Sequence, residues 1–264
     1  MNAPQMDPIA AFEQERLQRL AAYAGDKAFS ALSQQWLEAS MRRRYVYNFD
    51  WLGRPIIQYP QDMVIMQELV WRTRPDLIVE TGIAHGGSLI LSASLLALLD
   101  LCDAIDQGQS INPRHSDRRV LGVDIDIRSH NRHAIEAHPM ASRIQMIQGS
   151  STDAGIVDQV RSVASRYSRV MVCLDSNHTR DHVLAELNAY ASLVTPDCYC
   201  VVFDTFVENM PGDLFPDRPW APGNNPMTAV LEFLKGHPEF EVDSSIPHRL
   251  QVTVGPSGFL RRLA

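Results

Sequence analysis

Apolar residues recur at helical spacing near the start of the chain: Phe12, Leu17, Leu20 and Tyr23, then Phe29, Leu32, Trp36 and Leu37. They predict two helices between Pro8 and Ser40, separated near Gly25-Asp26. The pattern then breaks. Tyr45 to Asp62 is rich in aromatics and holds Gly53, Pro55 and Pro60, so it is expected to be an ordered connector rather than regular helix. From Met63 onward short apolar runs alternate with helical patterns, as in a parallel sheet with crossover helices. Strands are predicted at Leu77–Glu80, Val120–Val123, Arg143–Ile147, Val170–Leu174 and Tyr199–Phe203. Helices are predicted between them at Gly87–Cys102, at Ser129–Ala137, up to about Tyr167, and at His178–Leu193. Polar Asp103 to Arg118 reads as a long loop, and five prolines mark Phe206 to Pro226 as another. A helix at Met227–Lys235 and two strands, around Phe240–Val242 and Leu250–Val254, complete the pattern.

Composition narrows the class. A chain of 264 residues that is 45% hydrophobic can bury one large α/β domain with an appendage. A formal charge of −7 and a pI near 5.7 argue against partners rich in phosphate. Neither a nucleic acid nor an anionic membrane is therefore expected as a partner. The only dense basic run, Arg42-Arg43-Arg44, is short and lies beside Tyr45 and Tyr47. It suits a solvated or substrate-facing patch. Met1 to Asp7 is polar, unlike a secretory leader. The most apolar run, Leu89 to Leu101, is shorter than the roughly 20 residues that span a bilayer. Cys102, Cys173, Cys198 and Cys200 form no Cys-x-x-Cys pair, and they read as reduced core thiols of a cytoplasmic protein.

The chemistry gathers at the carboxyl ends of the predicted strands, where open parallel sheets bind ligands. Those ends carry Glu80, Asp124, Ser150, Asp175 and Asp204. One such residue would be an ordinary turn or cap; five in succession point to a shared pocket. The run Glu80-Thr-Gly82-Ile-Ala-His85-Gly86-Gly87-Ser88 follows a strand and opens a helix. Its glycines allow a sharp turn and close approach to a ligand, and the helix start can receive an anion. Ala84 stands where a dinucleotide pyrophosphate needs a glycine, whereas an acid two residues before the first glycine matches the first methyltransferase motif. Asp124, with Asp126 as the alternative, can accept the ribose hydroxyls of a nucleoside. Ile125 belongs to the same rim, and Ser150 would meet the adenine edge. In Asp175-Ser-Asn-His178 a strand-end carboxylate and an imidazole three residues on would face one cavity. The first suits a divalent cation and the second the removal of a proton. Asp204 could add a second oxygen.

Taken together, Trp51-x-Gly53-x-Pro55-Ile56-x-Gln58, the Glu80–Ser88 motif, Gly122-Val-Asp124-Ile-Asp126-Ile-Arg128, Leu174-Asp-Ser-Asn-His178-Thr and Val201-Val-Phe-Asp204-Thr resemble the cephalosporin hydroxylase family. That family includes rhamnosyl and other sugar O-methyltransferases. The resemblance runs from about Tyr45 to the C-terminus. It implies a Rossmann-like S-adenosylmethionine (SAM)-dependent methyltransferase sheet of the α/β class, with flanking helices and an N-terminal helical extension. On this reading residues 1–62 form the extension and connector, and residues 63–264 the methyltransferase domain. SAM would contact Glu80, Gly82, His85, Gly86, Ser88, Asp124, Ile125, Ser150 and Asp175. Asp175 and His178 would be catalytic, with Mg²⁺ on Asp175 and Asp204. Related macrolide sugar enzymes place a Glu-Asp pair at the end of the fifth strand. Here Phe203 replaces the glutamate, and Glu208 is the nearest substitute. The activity implied is methylation of a hydroxyl on a sugar, a glycosylated natural product or a polysaccharide precursor, by a homo-oligomer. The acceptor is expected to meet the Arg42–Tyr47 segment and the Phe206–Pro226 loop. A hydroxylase or nicotinamide oxidoreductase, and a non-catalytic nucleoside-binding partner protein, are the competing readings.

Overall fold

Apolar runs with both faces covered become parallel strands, and every residue of Leu77–Thr81 (β3), Val170–Leu174 (β6) and Tyr199–Val202 (β7) is buried. The structure, a computed structural model, describes residues 7–112 and 114–264. The polar N-terminal stretch, expected to carry no secretory leader, lies outside them apart from Asp7. Arg119–Asp124 (β4) and Ile144–Gln148 (β5) extend the sheet on one side of β3. On the other side β6, β7, Phe259–Arg262 (β9) and Phe240–Val242 (β8) follow, giving the order β5-β4-β3-β6-β7-β9-β8. β9 runs antiparallel to both of its neighbours. β3 and β6 are parallel neighbours at which the order of strand addition reverses, β4 and β5 lying to one side and β7 to the other, so their carboxyl ends form the crevice where such sheets bind ligands.

The N-terminal helices form where their periodicity predicts, at Pro8–Gly25 (α1) and Lys27–Arg42 (α2). The side chain of Asp26 caps the second by accepting from Phe29 N. The connector holds a hairpin, Phe49–Trp51 (β1) and Arg54–Ile56 (β2). Its two-residue loop, Leu52-Gly53, has φ of +47° and +82°, which suits a tight hairpin turn. A helix follows at Pro60–Thr73 (α3), starting on a proline. Gly87–Asp106 (α4) runs four residues beyond its expected end. By length and composition alone α4 could cross a membrane. It is instead the crossover from β3 to β4, with residues from Leu89 to Leu96 buried against α3, β4 and the hairpin. The remaining helices are Ser129–Glu136 (α5), Ala154–Ala164 (α6), Arg180–Tyr190 (α7), Pro226–Phe233 (α8) and Ser245–Leu250 (α9).

One strand lies elsewhere than expected. Leu250–Val254 alternates like a strand, yet Leu250 ends α9 and the segment after it is irregular. Buried Asp62 on α3 takes its polar groups, accepting from Thr253 Oγ1 at 2.5 Å and from Val254 N at 3.0 Å. The place beside β7 goes to β9, whose Phe259 and Leu260 are fully buried. Two free oxygens on α3 thus outcompete a strand edge for this segment.

Candidate active site

The turn after β3 is fixed by its neighbours. Gly82 has φ of +89°, and a Cβ there would stand 2.0 Å from the carbonyl oxygen of Asp175. Glycine is needed because β3 and β6 emerge side by side; Asp175 N donates to Thr81 O at 2.9 Å. Gly87 meets Pro55 O and Ile56 in the same way, so the hairpin seals the start of α4. These glycines therefore serve close packing of backbone on backbone, a role distinct from approach to a ligand. Arg54 donates through Nε to the carbonyl of His85 at 3.1 Å, and buried Asn131 donates to Ala84 O at 2.8 Å. Gly86 packs its open face on Ile135. Glu80 is buried and accepts from the Ser88 hydroxyl. Desolvation raises its carboxyl to about 7.

Asp124, at the end of β4, accepts from Ile83 N at 2.7 Å and Ala84 N at 3.3 Å on one oxygen, and from Asp126 N at 3.0 Å on the other. It ties the glycine turn to its own strand end. Asp126 is exposed, and Ile125 beside it is 72% exposed. An apolar side chain held in the open at a strand end is suited to cover a flat heteroaromatic ring. Ser150 lies after β5, the next strand, with its hydroxyl 3.1 Å from that of Thr152.

Asp175, His178 and Asp204 converge beyond β6 and β7. One ligand atom from each lies within 4.8 Å of the others, and among the described residues this is the group of acidic, His and Cys side chains able to hold a metal ion. His178 Nε2 stands 3.2 Å from Asp204 Oδ2. Asp204 reaches back to it from a left-handed φ of +57° at the turn after β7, a conformation that aspartate tolerates better than most residues. Burial, then the facing Asp204 and Glu80, hold the Asp175 carboxyl well above the usual range. Burial also raises Asp204, while His178 opposes the rise. Two crowded carboxylates and an imidazole form a donor set that a hard cation would relieve of its repulsion, and the residues present fit such an ion.

Glu208 stands apart from this group. Its Oε2 accepts from Gly223 N at 2.7 Å and from Asn225 Nδ2, so it fastens the proline-rich loop. Phe203 supplies no oxygen; it is buried and lines a small cavity with Asp62 and Gln58. The same loop brings Trp220 edge-on to His178, with ring centroids 4.7 Å apart. Arg42 binds Asp213 at 3.1 Å, and Gln34 Nε2 donates to Asn209 O at 2.7 Å. The basic segment and the proline-rich loop, two separate expectations from sequence, thus meet at one edge of the site.

Sequence reasoning assigned no role to three features near the site. Buried Gln58 donates to Asp175 Oδ2 at 3.4 Å. His182 Nε2 lies 3.2 Å from the hydroxyls of both Ser151 and Ser176, and Ser176 donates to buried Glu186. Trp220 lies in a loop without periodicity. Gln58 alone had a signal, its place in the Trp51–Gln58 motif.

The sequence model of the rhamnosyl O-methyltransferase/CmcI family matches residues 43–263. The chain belongs to this family. Rhamnosyl O-methyltransferases of Mycobacterium tuberculosis and Mycobacterium leprae are similar to it. The first is 29% identical over 206 residues, covering 76% of this chain and 73% of the relative; the second is 28% identical over 216 residues, covering 80% and 82%. Among solved structures, CmcI with Mg and SAM superposes with a TM-score of 0.54 at 17% identity, over 83% of this chain and 78% of CmcI. The apo structure of CalS11, a TDP-rhamnose 3′-O-methyltransferase of calicheamicin biosynthesis, gives 0.50 at 14% identity, over 98% and 96%. The fold is the SAM-dependent methyltransferase sheet of the rhamnosyl O-methyltransferase/CmcI family.

Proposed function

We propose that the chain is a SAM-dependent O-methyltransferase that acts on a hydroxyl of a sugar unit, assisted by Mg²⁺ and using His178 as the base. The convergence of Asp175, His178 and Asp204 at the switch-point crevice carries this reading. The rhamnosyl specificity of the similar mycobacterial enzymes favours a deoxysugar, free or attached to a larger product. SAM supplies a methyl group on a sulfonium, and Mg²⁺ supplies positive charge that makes a nearby hydroxyl more acidic. Asp124, Ile125 and Ser150 would hold the SAM nucleoside, and Glu80 and Asp175 its amino-acid end. Methyl transfer to oxygen leaves one proton to place. His178 accepts it, and Asp204 Oδ2 steadies the imidazolium, leaving the second oxygen of that carboxylate for the cation.

The acceptor enters where α2, the Arg42–Tyr47 segment and the Phe206–Pro226 loop meet. Residues 1–62 act as extension and connector to the methyltransferase domain at 63–264. The connector belongs physically to the latter, since Gln58, Tyr59 and Asp62 are buried in its core. Self-association through α1 and α2 is expected, because Ile9, Phe12, Leu17 and Leu32 are all more than half exposed. Four unpaired cysteines, three of them buried, suit the cytoplasm.

The test is transfer of labelled methyl from SAM to rhamnosyl glycosides. Turnover should vanish with EDTA and return with Mg²⁺. His178→Ala should lower kcat by roughly 10²–10⁴-fold with SAM binding intact. Turnover that survives both treatments would remove the base and the cation from the mechanism.

A further inference from the structure

Gln58 has an oxygen with nothing to bond. Its side chain is 95% buried, and its Nε2 donates to Asp175 Oδ2 at 3.4 Å, while Oε1 is shielded from solvent without a partner. Buried carbonyls are almost always paired, so an orphan beside a reactive cluster marks a place that a ligand completes. Gln58 lines a small cavity of about 20 Å³ together with Asp62, Glu80, Ser88, Cys173 and Phe203. Asp62 is already engaged with Thr253 and Val254. An amide oxygen can only accept, so the missing group is a donor, and the carboxyl groups of Glu80 and Asp175 beside Gln58 suit one that carries a positive charge.

Strand order says which donor. The proposed nucleoside rim lies at the ends of β4 and β5, at Asp124, Ile125 and Ser150, and the base, His178 after β6, reaches Asp204 after β7. The amino-acid end of a cofactor spanning that rim falls between them, over β3 and β6, beside Glu80, Gln58 and Asp175. We propose that Gln58 is a cofactor-positioning residue, whose Nε2 holds Asp175 while its Oε1 accepts a hydrogen bond from the α-ammonium of the cofactor's methionyl end. This rests on the cofactor reading above.

The test titrates the full chain with two nucleosides, S-adenosylhomocysteine, which carries the ammonium, and 5′-methylthioadenosine, which lacks the whole amino-acid end. Gln58→Met, close in shape but without acceptor or donor, should weaken S-adenosylhomocysteine by about tenfold or more, as for a lost bond to a charged group. It should leave methylthioadenosine within about twofold. Gln58→Glu keeps an acceptor oxygen and should retain the preference for S-adenosylhomocysteine, so it decides the matter if the Met variant does not fold. Equal loss of both nucleosides, or loss of neither, in the Met variant would overturn the assignment, as would loss of the preference in the Glu variant. Wild-type protein that binds neither nucleoside would overturn the cofactor reading itself, and this assignment with it.

Discussion

Glu80 is a carboxyl buried beneath the glycine turn, and its proton is a stability probe. Burial holds it neutral up to about pH 7, against 4.5 for a free side chain. The native state therefore keeps a proton that the unfolded chain has released. Its contribution to stability is full below about pH 4.5 and is lost as pH rises through 7, a change on the order of 3 kcal/mol. Glu80→Gln should accordingly flatten the dependence of Tm on pH between 5 and 8; an unchanged slope would mean that Glu80 is ionised in the fold. The acid itself was legible in sequence, since a carboxylate before a strand-end glycine belongs to a known motif. Its partner Ser88 and its burial were not, because both depend on α4 folding back over β3. Asp124 shows a similar limit. Its strand-end place was plain, but its bonds to Ile83 N and Ala84 N arise from two strands meeting.

At the scale of elements, the proline-rich loop is held by Glu208 and Asn225 rather than by its own periodicity. Glu208→Gln should leave Mg²⁺ affinity unchanged while amide exchange in residues 211–225 speeds up. Asp175→Asn should lose the cation. Exchange and metal titration on the same samples check this, and a Glu208 variant that loses Mg²⁺ would return Glu208 to the ligand set. The five central strands were readable to within a residue or two, because β3, β4, β6 and β7 are largely apolar on both faces and β5, despite exposed Gln145 and Gln148, runs into the Gly149-Ser150-Ser151 turn. The β1–β2 hairpin, α3, α9 and β9 escaped. The β1–β2 hairpin is too short to show alternation, and α3 follows a proline that also suits a turn. β9, Phe-Leu-Arg-Arg, mixes two buried apolar residues with two cations, whereas Leu250–Val254 imitates a strand and is pinned to Asp62 instead.

For the molecule as a whole, α1 contributes no buried residue and lies against α9 alone among the helices it meets most. Its exposed Ile9, Phe12 and Leu17 make self-association the expected use of this extension. A chain beginning at Tyr45 should fold, because among the described residues it gives up Leu37 alone from the buried apolar core, but should sediment as a smaller species with reduced turnover. Unchanged mass and activity would leave α1 and α2 without that role. The central claim is that the switch-point crevice between β3 and β6 binds SAM rather than a dinucleotide. Calorimetric titration of the purified chain with S-adenosylhomocysteine and with NAD⁺ tests it most directly. Saturable binding of S-adenosylhomocysteine, with none of NAD⁺, is the predicted result; binding of NAD⁺, or of neither, would contradict it.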